Sequence, residues 1–317
     1  MIASKLAVGV DLGGTNLRAA LVDTGDGRLL AEEKHGHADH APESIAGALA
    51  ALVNKVDPER RRIGVGIGIA AMLRGFTGVV VNAPNLGWRE VAFRKLVEDR
   101  LADDTVELYN DLNAITLGET RYGAAKGAKD VFCVYIGTGI GSGIVTDGRL
   151  YSGNSHLAGE IGHAKVVLEN GRLCGCGQHG CLEAYASGNN IAARAREDLA
   201  REKSSAVALA GAREQVHAGH LDEAARGGDA YATKLWDEVS RTIALAVGAH
   251  VTALNPSHLV LGGGVLGGAP LLGKLVRERL LLAINAPSLE GFVMADTTLG
   301  DNAGVLGAAA AIVDKVA

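Results

Sequence analysis

Residues 6–22 read LAVGVDLGGTNLRAALV and residues 131–145 read VFCVYIGTGIGSGIV. Each is an apolar run, a glycine-rich break and a second apolar run. Two such runs joined by a short glycine loop make a β-hairpin. Both breaks carry a threonine after a glycine, Thr15 and Thr138. Met once, a glycine hairpin is a common turn. Met twice in the same form and well apart in the chain, it points to a duplicated architecture of two related lobes.

The stretches around the hairpins fit that frame. Residues 43–56 and 89–102 have the apolar spacing of helices, and 64–69 and 105–109 read as strands. Asn110-Asp111 opens a helix running to about Arg121, both being ordinary helix-start residues. From Ala184 to about Asn255 the pattern is mostly helical. HLVLGGGV (258–265) is a short buried strand, a helix follows at Pro270–Leu282, and 302–316 is a helix of small residues. Strands and helices alternate throughout, so the class is α/β. The first lobe is expected at 1–115, completed by the C-terminal helix 302–317, and the larger lobe at 116–301. The glycine clusters at 9–14, 64–68, 137–143 and 262–264 each border an apolar run and read as strand ends and turns.

Composition removes several function classes. A net charge of −5 and 4% aromatic residues give neither a basic grip on nucleic acid or an anionic membrane nor a base-stacking surface. The N-terminal apolar run breaks at Asp11, too early for a secretory signal, and no stretch approaches the roughly 20 apolar residues of a membrane helix. Four cysteines without an export signal imply a reducing, cytoplasmic setting with free thiols.

Chemistry concentrates at the glycine turns. In Asp11-Leu12-Gly13-Gly14-Thr15-Asn16, residues without Cβ let backbone N–H groups approach an oxyanion, and Thr15 and Asn16 add donors. Asp11, at the end of its strand, is placed to hold Mg²⁺ through water near a polyphosphate. Taken alone, the motif is equally a tight turn. Thr138 and Gly139 repeat it on the second lobe, where facing turns would make a cleft for phosphates. Gly263, after a buried strand, would let an adenine ring lie against bare backbone. The three together point to a nucleotide. Asp111, at the start of a helix, is placed either as an N-terminal cap or as the base that takes a proton from an attacking hydroxyl.

Three of the four cysteines, Cys174, Cys176 and Cys181, form C-x-C-x₄-C, with His163 upstream. Three thiolates and one imidazole are a four-ligand zinc set, and a site closed by protein ligands is structural. The alternative, reduced core cysteines, sits poorly with the glycines, Gln178 and His179, which read as an exposed loop. Cys133, inside VFCVYI, reads as a core cysteine. Glu160 and Glu183 flank the loop 163–181, as sugar-hydroxyl acceptors or as two solvated glutamates.

Together these residues resemble the ROK family of sugar kinases and sugar-responsive repressors, within the actin-like ATPase (ribonuclease H-like) superfamily. The resemblance rests on DLGGTNLRAAL (11–21), APNLGW (83–88), YNDLNA (109–114), GTGIGSGIV (137–145), LAGEIGH (157–163), CGCGQHGCLEAYASG (174–188) and LGGG (261–264). It implies Mg²⁺-dependent transfer of phosphate from ATP to the primary hydroxyl of a hexose. Asp111 would be the base. Asn85, Asn110, Glu160, His163 and Glu183 would read the sugar, with His163 also on zinc. Asp11, Gly13, Gly14, Thr15, Asn16, Thr138, Gly139 and Gly263 would serve the nucleotide. APNLGW and LAGEIGH are most similar to the glucose-phosphorylating branch. Mannose, fructose, N-acetylmannosamine, N-acetylglucosamine and polyphosphate as donor stay open, as does a sugar-sensing regulator. The family's repressors carry a DNA-binding domain ahead of the first glycine motif, and this chain is expected to lack one. A homodimer or tetramer is the implied assembly. One departure is Ala70-Ala71-Met72-Leu73-Arg74, where many relatives have a Pro-Gly pair that makes a backbone contact.

Overall fold

A computed structural model describes residues 5–75, 77–102 and 104–316. In chain order it opens with β1 (Leu6–Leu12), β2 (Asn16–Asp23), β3 (Arg28–Gly36), α1 (Pro42–Val56) and β4 (Val65–Ile69). Three short strands follow, β5 (Met72–Leu73), β6 (Val80–Ala83) and β7 (Trp88–Val91), then α2 (Phe93–Leu101), β8 (Val106–Asn110) and α3 (Asp111–Arg121). The second hairpin is β9 (Val131–Ile136) and β10 (Ile140–Thr146), followed by β11 (Arg149–Leu150). Next come α4 (Glu183–Ala186), α5 (Gly188–Asp198), α6 (Ala206–Ala210), α7 (Ala218–Arg226) and α8 (Ala230–Leu254). The chain closes with β12 (His258–Gly262), α9 (Gly264–Gly268), α10 (Pro270–Ala283), β13 (Val293–Asp296) and α11 (Ala303–Val316).

Both hairpins form. The two five-stranded sheets run β3-β2-β1-β4-β8 and β11-β10-β9-β12-β13. Each places its third strand at one edge, then its second, first, fourth and fifth, so the repeat read from two glycine turns extends to the whole sheet order.

The chain divides into two compact units. The first comprises Met1–Val131, Gly143–Ala158 and Thr297–Ala317, and the second Phe132–Ser142 and Gly159–Asp296. The first unit therefore takes in the whole of α3, which the expected lobe boundary at 115 would have cut, because α3 packs along α11 on the first sheet. There Gly307 of α11 leaves no room for a Cβ against the Ala114 carbonyl.

Strand alternation sorts the first unit's core. Val8, Val10 and Leu12 face α1 and α2, packing with Leu49, Val53, Phe93 and Val97. Ala7 faces the other way, with Ala20 and Val22, onto Val305, Ala309 and Ile312 of α11. Gly9 and Gly66 lie inside β1 and β4, not at strand ends as their clusters suggested. A Cβ on Gly9 would stand 1.8 Å from the Val305 carbonyl oxygen, and one on Gly66 1.9 Å from that of Ala308. These glycines let a helix of small residues lie directly on the sheet.

The helix expected over 89–102 begins later. Trp88 pairs with Ala83 across β6 and β7, its buried ring packs on Phe93, and the helix runs from Phe93. Phe76 and Asp103 lie outside the described residues.

In the second unit, Ser187 caps α5 by accepting from the Asn190 N–H, and Asp229 caps α8 by accepting from that of Ala232. Buried Asp222 accepts from Trp236 Nε1 and from the N–H groups of Leu271 and Leu272, joining α7, α8 and α10. Among the described residues no helix is long and apolar enough to cross a membrane.

Candidate functional site

In the first unit, register gathers the candidate residues at one end of the sheet. β1, β4 and β8 are parallel, with Leu12 opposite Ile69 and Ile69 opposite Asn110. The glycine turn, Ala70-Ala71 and Asn110-Asp111 thus leave the sheet together at the carboxyl ends of the strands, where open α/β sheets bind ligands.

The turn is closed by Gly13 N–H donating to the Asn16 carbonyl at 2.9 Å. A Cβ on Gly14 would stand 3.0 Å from Asn85 Cβ, so the turn rests on the APNLGW segment. Asp11 shares its face of β1 with Gly9 and meets the first turn of α11, where a Cβ on Gly304 would lie 3.1 Å from its Cγ. Burial raises the Asp11 carboxyl above its ordinary range; Arg18 draws it down and Asp301 pushes it up.

Sequence reasoning missed two residues here. Arg18 is buried and donates to Glu32 at 2.7 Å and to Asn302, tying β2 to β3 and to the start of α11. His37 donates from Nε2 to the Gly13 carbonyl at 3.1 Å, since a carbonyl can only accept. Neither partner is near in sequence, so no local pattern announced them.

Asn110 caps α3. Its Oδ1 accepts from the N–H groups of Leu112 and Asn113 at 3.0 and 3.3 Å, and its Nδ2 donates to the Ala71 carbonyl at 3.2 Å. The segment that departs from the family pattern therefore still offers a backbone acceptor. Arg74 turns to Glu90, at 2.8 Å. Asp111 opens the helix half-buried, with one carboxylate oxygen on the Leu112 N–H at 2.9 Å.

The second unit holds the other set. Gly137 N–H donates to the Gly139 carbonyl at 2.9 Å, and Gly188 N–H to the Gly137 carbonyl at 2.8 Å. A cavity of about 420 Å³ opens beside this turn, lined by Gly137, Thr138, Gly188, Arg196, His217 and Gly264 among others. That volume suits a nucleoside-sized ligand. Thr138 lines it; Gly139 and Gly263 do not. At φ +96°, Gly263 lies under strand β9, where a Cβ would stand 2.4 Å from the Ile136 carbonyl oxygen. The His217 ring stands 3.7 Å from that of His220. Burial, then the charges of His220 and Arg196, lower its basicity.

Glu183, at the start of α4, points its carboxylate at the turn: Oε2 accepts the Ile140 N–H at 2.9 Å. Glu160 keeps about 40% of its side chain exposed, with Oε2 3.8 Å from His163 Nε2. Partial burial raises its carboxyl, against the pull of His163, and Glu183 pushes it further up.

The loop brings the four expected ligands together. The donor atoms of His163, Cys174, Cys176 and Cys181 all lie within 4.8 Å of one another. Cys176 and Cys181 sulfurs are 3.8 Å apart, and Cys174 Sγ is 3.7 Å from His163 Nδ1. Zn–S and Zn–N bonds of about 2.3 and 2.0 Å at tetrahedral angles require edges of about 3.8 and 3.5 Å. A disulfide needs about 2.05 Å. The donor set fits zinc. Its surroundings differ from an exposed loop, because Cys174 and Cys181 are buried and only Cys176 is exposed. Burial pushes the Cys174 thiol up to about 12. Cys133 is buried in β9, as expected.

The family profile described as ROK family matches residues 7–315. The chain belongs to the ROK family. It is 35% identical to a glucokinase of Thermotoga maritima over 98% of both chains. The ROK hexokinase of Thermus thermophilus superposes with a TM-score of 0.84 at 31% identity, over 98% of this chain and 100% of that one. A ROK family glucokinase from Streptomyces griseus, solved in complex with glucose and AMPPNP, superposes with a TM-score of 0.78 at 34% identity, over 96% and 98%. The fold is thus that of the ROK sugar kinases, the duplicated α/β architecture of the actin-like ATPases.

Proposed function

We propose that this ROK protein transfers the γ-phosphoryl group of ATP to the primary hydroxyl of a hexose, and that the hexose is glucose. The observation that carries this reading is the likeness, over 96% of the chain, to the Streptomyces griseus glucokinase that holds glucose and AMPPNP.

Each residue set has a role in that reaction. Asp111 accepts the proton of the attacking hydroxyl, with its position fixed by the Asn110 cap. Asn110 keeps one Nδ2 hydrogen beyond its bond to Ala71, and that donor serves a sugar hydroxyl. Asn85, Glu160, His163 and Glu183 complete the sugar contacts, carboxylates accepting from hydroxyls. The Gly13-Gly14-Thr15-Asn16 and Thr138-Gly139 turns offer N–H and hydroxyl donors to the phosphates. The nucleoside occupies the cavity beside Thr138 and Gly264, with Gly263 shaping the wall beneath it. Asp11 is an oxygen donor at the carboxyl end of β1, its chemistry suited to a water-bound Mg²⁺, which supplies neutralisation of phosphate charge.

His163, Cys174, Cys176 and Cys181 would hold one structural zinc, which stiffens the loop between Glu160 and Glu183. Thiols kept free for a metal agree with a cytoplasmic setting. Metal analysis of the purified protein tests this, the expectation being about one zinc per chain for a closed four-ligand set.

The function is tested by ADP release from Mg-ATP with glucose, mannose, fructose and the N-acetylated hexosamines. The highest kcat/KM is expected for glucose. A clear preference for another sugar overturns the substrate, and no turnover with any sugar overturns the kinase.

A further inference from the structure

The metal loop carries a charge that its ligands leave uncompensated. Three thiolates and a neutral imidazole around a divalent cation sum to one net negative charge. Two carboxylates add to it: Glu160 lies 3.8 Å from His163 Nε2, and Glu183 Oε1 lies 3.8 Å from Cys174 Sγ. Two of the three sulfurs are buried. An anionic cluster partly withdrawn from water needs a cation at short range.

Lys165 stands there. Its Nζ is 3.3 Å from Cys181 Sγ and donates to the His179 carbonyl at 2.6 Å. Its backbone is held in a β-bridge with Cys181, and the next N–H, of Val166, donates to the Gly180 carbonyl at 2.9 Å. The stretch that delivers the His163 imidazole therefore delivers the ammonium two residues later. The other cation of the loop, Arg172, reaches Glu197 at 2.8 Å. Among the described residues, Lys165 is the cation within hydrogen-bonding distance of a ligand sulfur.

We infer that Lys165 is the charge-balancing residue of the metal loop, its ammonium donating to the Cys181 sulfur and offsetting the net negative charge of the loaded site. The inference rests on the zinc reading above. Lys165 acts through Cys181, so it is a positioning residue and touches no reacting atom. The role fits lysine chemically: a compact ammonium has three donors, enough for the sulfur, the carbonyl and water.

The test is transfer of zinc from the intact holoprotein to a chromogenic chelator, at equilibrium and over time, with folding followed by circular dichroism. Lys165→Met keeps the stem and removes the charge. It should bind zinc about 10- to 100-fold more weakly, the range found when outer partners of metal ligands are lost. Lys165→Arg restores a cationic donor and should stay within about threefold of wild type, whereas Lys165→Gln, a donor without charge, should fall well below it. In the cobalt-loaded protein, Lys165→Met should move the thiolate-to-metal band to lower energy, because the sulfur lone pair loses its N–H donor. Wild-type affinity in Lys165→Met overturns the inference, as does wild-type affinity in Lys165→Gln, which also serves if Lys165→Met does not fold. A wild-type protein without zinc sinks the zinc reading itself, a distinct result read before any variant is made.

Discussion

Glu183 and Ile140 are joined by a single hydrogen bond, the Ile140 N–H donating to the Glu183 carboxylate at 2.9 Å. Ile140 begins β10 immediately after the Thr138-Gly139 turn, and a Cβ on Gly139 would meet the same carboxylate oxygen at 2.7 Å. The residue assigned to the sugar thus also braces the turn assigned to phosphate.

Replacing Glu183 should therefore disturb both substrates. Glu183→Ala leaves the Ile140 N–H without its acceptor, at a cost on the order of 1–3 kcal/mol if water cannot replace it. It should raise KM for ATP as well as for the sugar. Glu183→Gln retains an acceptor oxygen and should keep the ATP KM within about threefold of wild type. Steady-state kinetics with each substrate varied checks this; an unchanged ATP KM in Glu183→Ala would mean the turn stands without its brace.

Asp111→Asn removes the proposed proton acceptor and preserves the shape of the side chain. Sugar binding, measured by calorimetry, should persist, while kcat should fall by about 10²-fold or more. Near-normal turnover in this variant would exclude Asp111 as the base.

Asp11 gives a pH-dependent stability effect of defined sign. A carboxyl whose pKa is higher folded than unfolded holds its proton more tightly in the folded state. It therefore supports the fold at low pH, and its ionisation lowers stability as the pH rises through the raised value. Burial raises the Asp11 carboxyl. At about pH 7, Asp11→Asn should melt above wild type, with the gap closing as the pH falls towards about 4. The same variant should lose most of its kinase activity. A Tm difference that does not depend on pH would refute the assignment.

Glu119, fully buried on α3, accepts from the N–H groups of Ala124, Thr298 and Leu299 at 2.8, 3.2 and 3.2 Å and from the Thr297 hydroxyl. Glu119→Ala strands several donors and should cost about 3 kcal/mol or more. Glu119→Gln should not rescue it, because the amide sets N–H groups against N–H groups. Scanning calorimetry of both variants is the check, and a fully stable Glu119→Gln would contradict the account.

What the sequence disclosed was whatever neighbouring residues decide among themselves. The hairpins, the helix start at Asn110-Asp111 and the cysteine loop are local, so spacing and residue type revealed them, although the cap is Asn110 and Asp111 is the first helical residue. Arg18, His37 and Lys165 carry no such mark, since Asn302, the Gly13 carbonyl and the Cys181 sulfur become their partners only on folding. The helical spacing of 89–102 failed at its first residues because Trp88–Val91 pairs with β6 as a strand, and the buried periodicity of Phe93, Val97 and Leu101 begins only at Phe93. Gly9 and Gly66 looked like turn residues because the helix that requires them, α11, lies far away in the chain.

That last distance has a consequence for biosynthesis. The groove floored by Gly9 and Gly66 and flanked by Ala7, Ala20 and Val22 is made early, and the helix that fills it begins 291 residues after the end of β1 (303 against 12). At about 5–20 residues per second, β1 waits on the order of 15 to 60 s for α11. Throughout that interval a nascent chain exposes one apolar face of its first sheet. Ribosome stalling anywhere before α11 would leave that face open to other chains or to chaperones.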